Sequence, residues 1–572
     1  MAELPDLLCG YSDPPDYKPK EGPRLEDLNP FKTGRFHLSL VAMMRMLAPG
    51  TRYPVIGDTC VNTRLHSRFA EVLAARLGGQ YAGLLETVQG APLAKRGSEY
   101  SLWYRPADLK ADGPVALPLR SEWFPGWHVA VLRGGRKEND TALFLNGNEN
   151  RWTIHSGHRH RDVLGLSYWA YGEELVSDRG YFSGSGYRLP DGRSGQSWTR
   201  GTLSHNLVVV DEKEQASRKC GSNLEIFGVA PGIEVVQASG HAVYPQCKEY
   251  RRTTALVRRP DGHTYAVDFF RVKGGKVHQY SFNCDGPLTA QKPAQPAPQP
   301  VEPAPVWSKW LSNAKAVTPQ VAHTFTWASH EVSVDLMLLN TSDSVDRVII
   351  ADAPGWRRAS TSELKKPPIQ QVLAEHRAKK PETEIATQYA VVIVPYKGGS
   401  SPVLSARLLQ NDLDSGVMAV EVKLAGRTDI LVSTRDQKQR QYGQATVAGE
   451  LGFVSTDDKG RAVQGYMLNG TLLACGDLKI ALPTPSATLK VRSTADRTFH
   501  LAEPLPSKLP AGGSFLLACG PAQTRPDPKA PRVQTGFEIE STTADSITVR
   551  DYPVIACDEI TVLNSCWLRM ER

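Results

Sequence analysis

The 572-residue sequence has no long apolar run, no paired-cysteine motif and no strongly basic segment. No stretch of about 18 apolar residues occurs, which excludes a transmembrane helix of ordinary length. The nine cysteines are widely spaced and never form Cys-x-x-Cys, so neither a disulfide framework nor a zinc ribbon is indicated. A net charge of +7 without a basic run makes nucleic acid an unexpected partner.

The first residues also lack a targeting signal. Met-Ala-Glu-Leu-Pro-Asp-Leu-Leu-Cys-Gly has neither the basic nor the apolar segment of a signal peptide. The chain as written is therefore expected to be intracellular or a piece without its natural start. Its length predicts two to four domains, and its 48 glycines and 41 prolines favour turns and strands over long helices.

Helical periodicity is confined to the beginning of the chain. It predicts helices over Phe36–Leu47, Thr63–Leu77 and Tyr81–Val88. From about Leu119, short β-branched or aromatic segments alternate with turn residues, as is typical of antiparallel sandwiches or barrels. The proline-rich segment Leu288–Val306 is predicted to be an exposed loop or insertion, because proline cannot donate to a sheet.

These patterns predict an α+β fold that is predominantly β. A short helical N-terminal part is expected over residues 1–118, and a large antiparallel β-sandwich over residues 119–400. A smaller C-terminal β-rich domain is expected over residues 401–572.

Polar residues cluster in one stretch of the predicted sandwich. Four of the fourteen histidines lie between His155 and His205. His158, His160 and Asp162 alternate, and in an extended strand their side chains would lie on one face. Such a face makes a poor core, so the stretch predicts a site.

Two imidazoles and a carboxylate in this stretch form a candidate ligand set. His160, Asp178 and His205 suit zinc or another divalent first-row metal and leave a position open for water or substrate. Leu164–Val176 is predicted to be a strand, a turn at Gly172 and a return strand. Such a hairpin would place residues 160 and 178 beside each other at its open end. The alternative is that these polar residues at strand ends bond only to backbone.

Several short motifs in this region resemble the β-sandwich signature of the heparinase II/III-like polysaccharide lyases, a group that includes alginate and oligoalginate lyases. They are Gly157-His-x-His-x-Asp162, Tyr171-Gly-Glu173, Asp178-x-Gly-Tyr181 and Ser204-His-Asn-Leu-Val-Val-Val-Asp211 with Gln215. The resemblance is specific over residues 120–285 and thin before residue 115. It implies that His160, Asp178 and His205 bind a structural Zn2+.

The resemblance also implies a carbon–oxygen lyase that cleaves a uronic-acid-containing glycan by β-elimination. A base removes the proton at C5 once the carboxylate is neutralised, and an acid protonates the leaving 4-oxygen. His158 is the candidate for base or carboxylate neutralisation, and Tyr187 is the second catalytic candidate. Asp162 is expected to orient an imidazole, and Arg251 and Arg252 are candidates for binding the substrate carboxylate.

The N-terminal part departs from the family pattern. Family members carry a large toroid of paired helices that forms half of the cleft, so residues 1–118 are interpreted as a partial α/α toroid. One alternative is therefore a catalytically impaired sandwich that binds zinc and an acidic glycan. Another is a cupin-type metal enzyme. That pattern requires a glutamate four or five residues after the second histidine, whereas this chain has Leu164 and Gly165 there.

The expected partner is an anionic polysaccharide or oligosaccharide, with no nucleic acid and no membrane span. A homodimer is compatible with this interpretation. By resemblance the protein would be periplasmic or secreted, although this chain shows no signal peptide.

Overall fold

The computed structural model describes most of the chain. The described residues are 7–32, 36–65, 67–95, 97, 99–111, 113, 119–135, 141–151, 157–182, 188–189, 191–293, 298–357, 361–506, 509–521 and 531–570. The chain divides into two compact units, which are described separately. The first comprises Met1–Pro54 and Asn62–Arg120, and the second comprises Val55–Val61 and Ser121–Arg572.

The first unit is helical, as predicted. Its helices are α1 (Phe36–Arg45), α2 (Ser67–Leu77), α3 (Gly79–Gln89) and α4 (Glu99–Tyr104), with 3-10 turns at Pro49–Thr51 and Leu93–Lys95. Leu47, Val72 and Leu85 are buried in its core. No helix among the described residues is long and apolar enough to cross a membrane.

The second unit begins with a five-stranded sheet in simple order. Its strands are β1 (Glu122–Phe124), β2 (Val129–Gly134), β3 (Thr141–Asn146), β4 (Gly165–Ala170) and β5 (Glu173–Val176). Strands β4 and β5 form the predicted hairpin. Its two turn residues, Tyr171 and Gly172, have φ values of 56° and 80°, which suits the right-handed twist of a tight hairpin. The prediction of a turn at Gly172 is therefore confirmed.

Two larger antiparallel sheets form the sandwich. The six-stranded sheet has the order β13-β14-β17-β18-β11-β6, and the eight-stranded sheet has the order β12-β15-β16-β19-β10-β9-β8-β7. Their strands are β6 (Val208–Val210), β7 (Gly221–Ala230), β8 (Ile233–His241), β9 (Glu249–Arg258), β10 (Thr264–Lys273), β11 (Val277–Asn283), β12 (Leu288–Lys292), β13 (Gln299–Pro300), β14 (Ser312–Val317), β15 (His323–Ser329), β16 (Val332–Leu338), β17 (Arg347–Ala353), β18 (Ile369–Arg377) and β19 (Ala386–Lys397). Short helices α5 (Gln196–Thr199) and α6 (Thr361–Leu364) and a 3-10 turn at Thr202–Ser204 lie in the connections.

Strand β19 explains why the eight-stranded sheet is a middle layer. Its side chains alternate between two cores, as the two-residue period of a strand requires. Tyr389, Val391 and Ile393 lie in the sandwich core, whereas Ala390 and Val392 lie in a second core. A strand that is apolar on both faces must be covered on both faces.

The C-terminal region contributes the cover of the second core and a barrel. An eight-stranded sheet is built around the order β20-β21-β22-β24-β25-β26, with β23 beside β24 and β33 beside β25, and the closed barrel has the order β27-β28-β31-β30-β29-β32. The strands are β20 (Val403–Asp412), β21 (Val417–Leu424), β22 (Arg427–Ser433), β23 (Arg440–Tyr442), β24 (Ala445–Thr456), β25 (Ala462–Cys475), β26 (Leu478–Ala481), β27 (Ser486–Ala495), β28 (Thr498–Leu501), β29 (Phe515–Gly520), β30 (Val533–Thr542), β31 (Ser546–Val549), β32 (Glu559–Leu563) and β33 (Ser565–Arg569).

The predominantly β fold class is confirmed, whereas the prediction for the proline-rich segment is wrong. The segment Leu288–Val306 was expected to stay out of the sheets, yet β12 pairs with β15 and the two-residue β13 pairs with β14. Both strands lie at the ends of their sheets, and proline is tolerated at such edges because one side of the strand needs no ladder bond. The predicted domain boundaries after residues 118 and 400 stay predictions.

Candidate metal centre

The hairpin of β4 and β5 places two of the predicted ligands at the same end of the sheet. His160 precedes β4 and Asp178 follows β5, as the predicted hairpin requires. The Nδ1 atom of His160 lies 3.8 Å from the Oδ1 atom of Asp178. The two side chains are therefore close enough to share one ion.

The third predicted ligand arrives from a separate segment. His205 follows the 3-10 turn at Thr202–Ser204 and directly precedes Asn206, whose side-chain amide donates to the carbonyl oxygens of Leu166 and Ser177. These bonds tie the segment to both arms of the hairpin. The Nδ1 atom of His205 then lies 2.9 Å from the Oδ2 atom of Asp178.

Four side chains form the candidate metal cluster: His160, Asp162, Asp178 and His205. One possible ligand atom from each lies within 4.8 Å of the others. Within the described part of the chain, Nδ1 of His160 and Nε2 of His205 are buried without a hydrogen-bond partner. Buried polar atoms without a partner are costly, and a divalent ion bound between these side chains would satisfy Nδ1 of His160. Two imidazoles and a carboxylate suit zinc.

Asp162 is held by amides rather than left open toward the cluster. Asn146 donates to its Oδ2 atom at 2.7 Å and Asn148 donates to its Oδ1 atom at 2.5 Å. Asn148 also donates to the carbonyl oxygen of His160 at 2.8 Å. Asp162 thus connects this pair of amides to the ligand-bearing segment, and its predicted role of orienting an imidazole stays a prediction.

A fifth side chain joins the site from a distant part of the chain. Asp58, in the Val55–Val61 segment of the second unit, places Oδ1 3.3 Å from Nε2 of His160 and Oδ2 2.8 Å from Nδ1 of His158. The sequence offered only a Gly57-Asp58 pair between two predicted helices, which does not specify a partner 100 residues away. Asp58 was therefore missed.

The carboxylates and imidazoles of this site stabilise each other's charged forms. Burial alone would raise the pKa of Asp178, but the charge and hydrogen bond of His205, together with His160, lower it to about 2. Burial would lower the pKa of His205, but Asp178 outweighs it and raises the pKa above its usual value. Burial also opposes ionisation of Asp58, whose pKa is nevertheless lowered by hydrogen bonds from His160 and His158.

The expected single face of His158, His160 and Asp162 is a wrong prediction. Residues 157–162 form turns and irregular backbone rather than a strand. The His158 side chain is 83% exposed, whereas His160 and Asp162 are buried. The segment is irregular because Asp58 and Asn148 bond to its backbone carbonyls and side chains, which leaves one histidine outside and one inside.

The two arginines predicted to bind substrate are both engaged by carboxylates. Arg252 is fully buried, and its guanidinium forms a two-point contact with Asp268 at 2.8 and 2.9 Å. Its Nη1 atom also donates to the carbonyl oxygens of Leu164 and Asn206. Arg252 is therefore an internal brace for the chain segments beside the cluster, and its burial contradicts contact with a glycan.

Arg251 lies nearer the surface but is also paired. Its side chain is 21% exposed, and its Nε atom lies 2.8 Å from Glu225. Tyr187, the second predicted catalytic residue, lies outside the described residues.

An antiparallel sandwich with a largely buried cluster of two histidines and two aspartates defines a β protein with a candidate mononuclear metal centre. Residues 116–276, which contain the whole cluster but not Asp58, match the family described as heparinase II/III-like, C-terminal. This match confirms the predicted resemblance to the heparinase II/III-like family in that region.

Similar proteins include named lyases. An alginate lyase of Stenotrophomonas maltophilia (strain K279a) is 28% identical over 177 residues, which cover 27% of this chain and 23% of the relative. Heparan sulfate lyase HepC from Pedobacter heparinus shares 14% identity with a TM-score of 0.46, covering 69% of this chain and 52% of that one. A structure of heparinase III shares 16% identity with a TM-score of 0.46, covering 70% and 55% respectively. The chain thus spans about a quarter of the curated relative and about half of these solved structures.

Proposed function

We propose that this chain is the sandwich part of a polysaccharide lyase that cleaves a uronic-acid-containing anionic glycan by β-elimination. The observation that carries the proposal is the difference in exposure between two neighbouring histidines. His160 is buried in the cluster, whereas the side chain of His158 is 83% exposed. Both histidines contact the carboxylate of Asp58. Burial suits the proposed metal ligand, and exposure suits an imidazole that exchanges a proton with a ligand in solvent. The family match over residues 116–276 favours this function over a cupin-type enzyme.

In the proposed reaction, Nε2 of His158 removes the proton at C5 of the uronate. The electron pair of the broken C5–H bond forms a double bond between C5 and C4, and the bond from C4 to the glycosidic oxygen breaks. That oxygen must receive a proton, for which Tyr187 is the proposed donor. The resulting imidazolium of His158 is stabilised by the carboxylate of Asp58, which lies 2.8 Å from Nδ1.

Proton removal at C5 also requires that the uronate carboxylate be neutralised. Arg200 places a cation beside the histidine segment, since its Nη2 atom donates to the carbonyl oxygen of Arg159 at 3.1 Å. Its charge also contributes to the lowered pKa of Asp58, after burial and the two histidines. We propose that Arg200 offsets the substrate charge, a role for which guanidinium groups are well shaped.

We propose that His160, Asp178 and His205 hold a structural Zn2+. When bound, the ion would cross-link the two arms of the hairpin to the segment before β6. The bond-making steps are assigned to the protein side chains alone. The His158 and Arg200 side chains would then be attached to backbone that the ion holds rigid.

The direct test is incubation with alginate, heparin, heparan sulfate and ulvan, followed by ultraviolet absorbance of the unsaturated product. We expect absorbance to rise with at least one glycan, and to be lost in His158→Ala while zinc content and folding are kept. We expect Arg200→Ala to raise KM. His330→Ala, an 81% exposed histidine elsewhere in this unit, is the matched control and should leave turnover unchanged.

Glycan binding without any product, unaffected by His158→Ala, would contradict the lyase and support a catalytically impaired glycan-binding sandwich. A periplasmic or secreted location and a homodimer belong to the same proposal. They are tested by fractionation of cells and by light scattering.

A further inference from the structure

The Asp58 carboxylate contacts two histidines through different ring atoms. It meets Nδ1 of His158 with one oxygen and Nε2 of His160 with the other. Resting on the proposed function, we propose that Asp58 is a positioning residue that fixes the tautomers of both histidines at once. His160 is thereby presented to the ion through Nδ1, and His158 is presented to the substrate through Nε2.

The chemistry of the groups leads to this assignment. An ionised carboxylate can only accept hydrogen bonds, so each nitrogen that faces Asp58 must carry the proton. A neutral imidazole carries one proton, and its other nitrogen is left with a lone pair. For His160 that other nitrogen is the buried Nδ1, which has no hydrogen-bond partner in the described part of the chain and lies 3.8 Å from Asp178. It is oriented as a metal ligand must be.

For His158 the orientation matters because packing does little to hold the ring. Its side chain is 83% exposed, whereas that of Asp58 is only 10% exposed. The hydrogen bond of 2.8 Å is therefore the contact that limits ring rotation. It leaves Nε2 directed away from the carboxylate, where a proton acceptor is needed.

The backbone around Asp58 is clamped to both ligand-bearing segments. Its amide donates to the carbonyl oxygen of His158 at 3.1 Å, and the amide of Tyr181 donates to the carbonyl oxygen of Thr59 at 3.2 Å. A Cβ atom on Gly57, which has a φ of +55°, would lie 2.7 Å from the His158 carbonyl oxygen. Glycine is thus required for this close approach. The position of Asp58 is built into the fold on two sides.

One carboxylate therefore couples the proposed base to the proposed metal ligand. Groups that hold the second nitrogen of a metal-bound histidine commonly change metal affinity by about 10- to 100-fold when removed. Loss of Asp58 should consequently lower the affinity for the ion and also disorient the base. Loss of His158 should disturb only the base.

The direct test is neutron diffraction from deuterium-exchanged crystals of the unmodified chain. We expect deuterium on Nδ1 of His158 and on Nε2 of His160. Absence of deuterium from either of these atoms would overturn the proposal. This arm requires no catalytic activity, so it can fail or succeed independently of the lyase assay.

The second test compares zinc affinity, by chelator competition, in Asp58→Ala, Asp58→Asn and His158→Ala. We expect the two Asp58 variants to lose about 10- to 100-fold in affinity, because an amide can accept from only one of the two N–H groups. His158→Ala should bind zinc as the unmodified chain does. At saturating zinc, Asp58→Ala should lower kcat more than it changes KM.

Asp335→Asn is the matched control, since Asp335 is buried and accepts a hydrogen bond from Thr326 at 2.7 Å in another part of the sandwich. It should leave zinc affinity unchanged. Unaltered zinc affinity in both Asp58 variants, or an equal loss in Asp335→Asn, would overturn the coupling. Circular dichroism establishes that each variant is folded.

Discussion

The Nδ1 atom of His205 lies 2.9 Å from the Oδ2 atom of Asp178, so two of the three predicted ligands contact each other directly. They are 27 residues apart and belong to segments on either side of the α5 connection. A nitrogen and an oxygen at this distance are close enough to bind the same ion. The pair is therefore arranged to present a nitrogen to an ion.

Substitution of the cluster should remove the ion. We expect His160→Ala, Asp178→Asn and His205→Ala to lose stoichiometric zinc, because each removes one donor from a three-donor set. Metal content measured by mass spectrometry checks this, with His330→Ala as the control. Full zinc content in all three variants would place the ion elsewhere.

Zinc affinity should depend on pH in a defined direction. Burial lowers and Asp178 more strongly raises the pKa of His205, with a net increase, so at lower pH zinc must displace a proton from this ring. Affinity should rise by about tenfold per pH unit below that pKa and level off above it. The pKa of Asp178, about 2, means that its carboxylate adds no slope. Chelator competition from about pH 5 to about pH 8 measures the curve, and a flat or falling curve would refute it.

Arg252 should prove important for stability. It is buried with Asp268, and removing one partner of a buried ion pair costs about 3–5 kcal/mol. We expect Arg252→Met to lower the free energy of unfolding by that amount in denaturant titration.

The control for this prediction is Arg407→Ala. The Arg407 side chain is 63% exposed in its pair with Glu421, and such pairs contribute about 0–1 kcal/mol. Similar losses in the two variants would show that burial of Arg252 does not decide its effect.

Gly180 should tolerate no side chain. Its φ is +61°, and a Cβ atom there would lie 2.6 Å from Val55 Cγ1 and 2.9 Å from the Thr59 carbonyl oxygen. Gly180→Ala should therefore displace the Val55–Val61 segment, lower the thermal midpoint and weaken zinc binding. Gly192→Ala is the matched control, because Gly192 also has a positive φ, +80°, but nothing lies within 4 Å of its Cβ position. Equal effects on zinc would contradict steric displacement at Gly180.

Local patterns predicted the parts of the site that depend on neighbouring residues. The Tyr171-Gly172 turn and the strands around it could be read from the sequence, and they bring His160 and Asp178 to the same end of the hairpin. The residues from His158 to Asp162 were predicted less well. Period-two alternation indicates a strand only where ladder partners exist, and this segment is held by side chains instead.

Long-range partners could not be predicted. Asp58 is 100 residues from His158 in the chain, and no spacing rule connects a Gly-Asp turn to a histidine on another element. Arg252 was predicted to contact substrate because an exposed Arg-Arg pair and a buried one read alike. Its partner, Asp268, is the neighbour of Thr254 across the β9–β10 ladder, which only the sheet register reveals.

The central claim is tested most directly by anomalous diffraction at the zinc absorption edge from crystals of the chain grown with zinc. We expect one strong peak at about 2.0–2.2 Å from Nδ1 of His160, the Asp178 carboxylate and Nδ1 of His205. No peak at that position, or a peak bound by other donors, would contradict it.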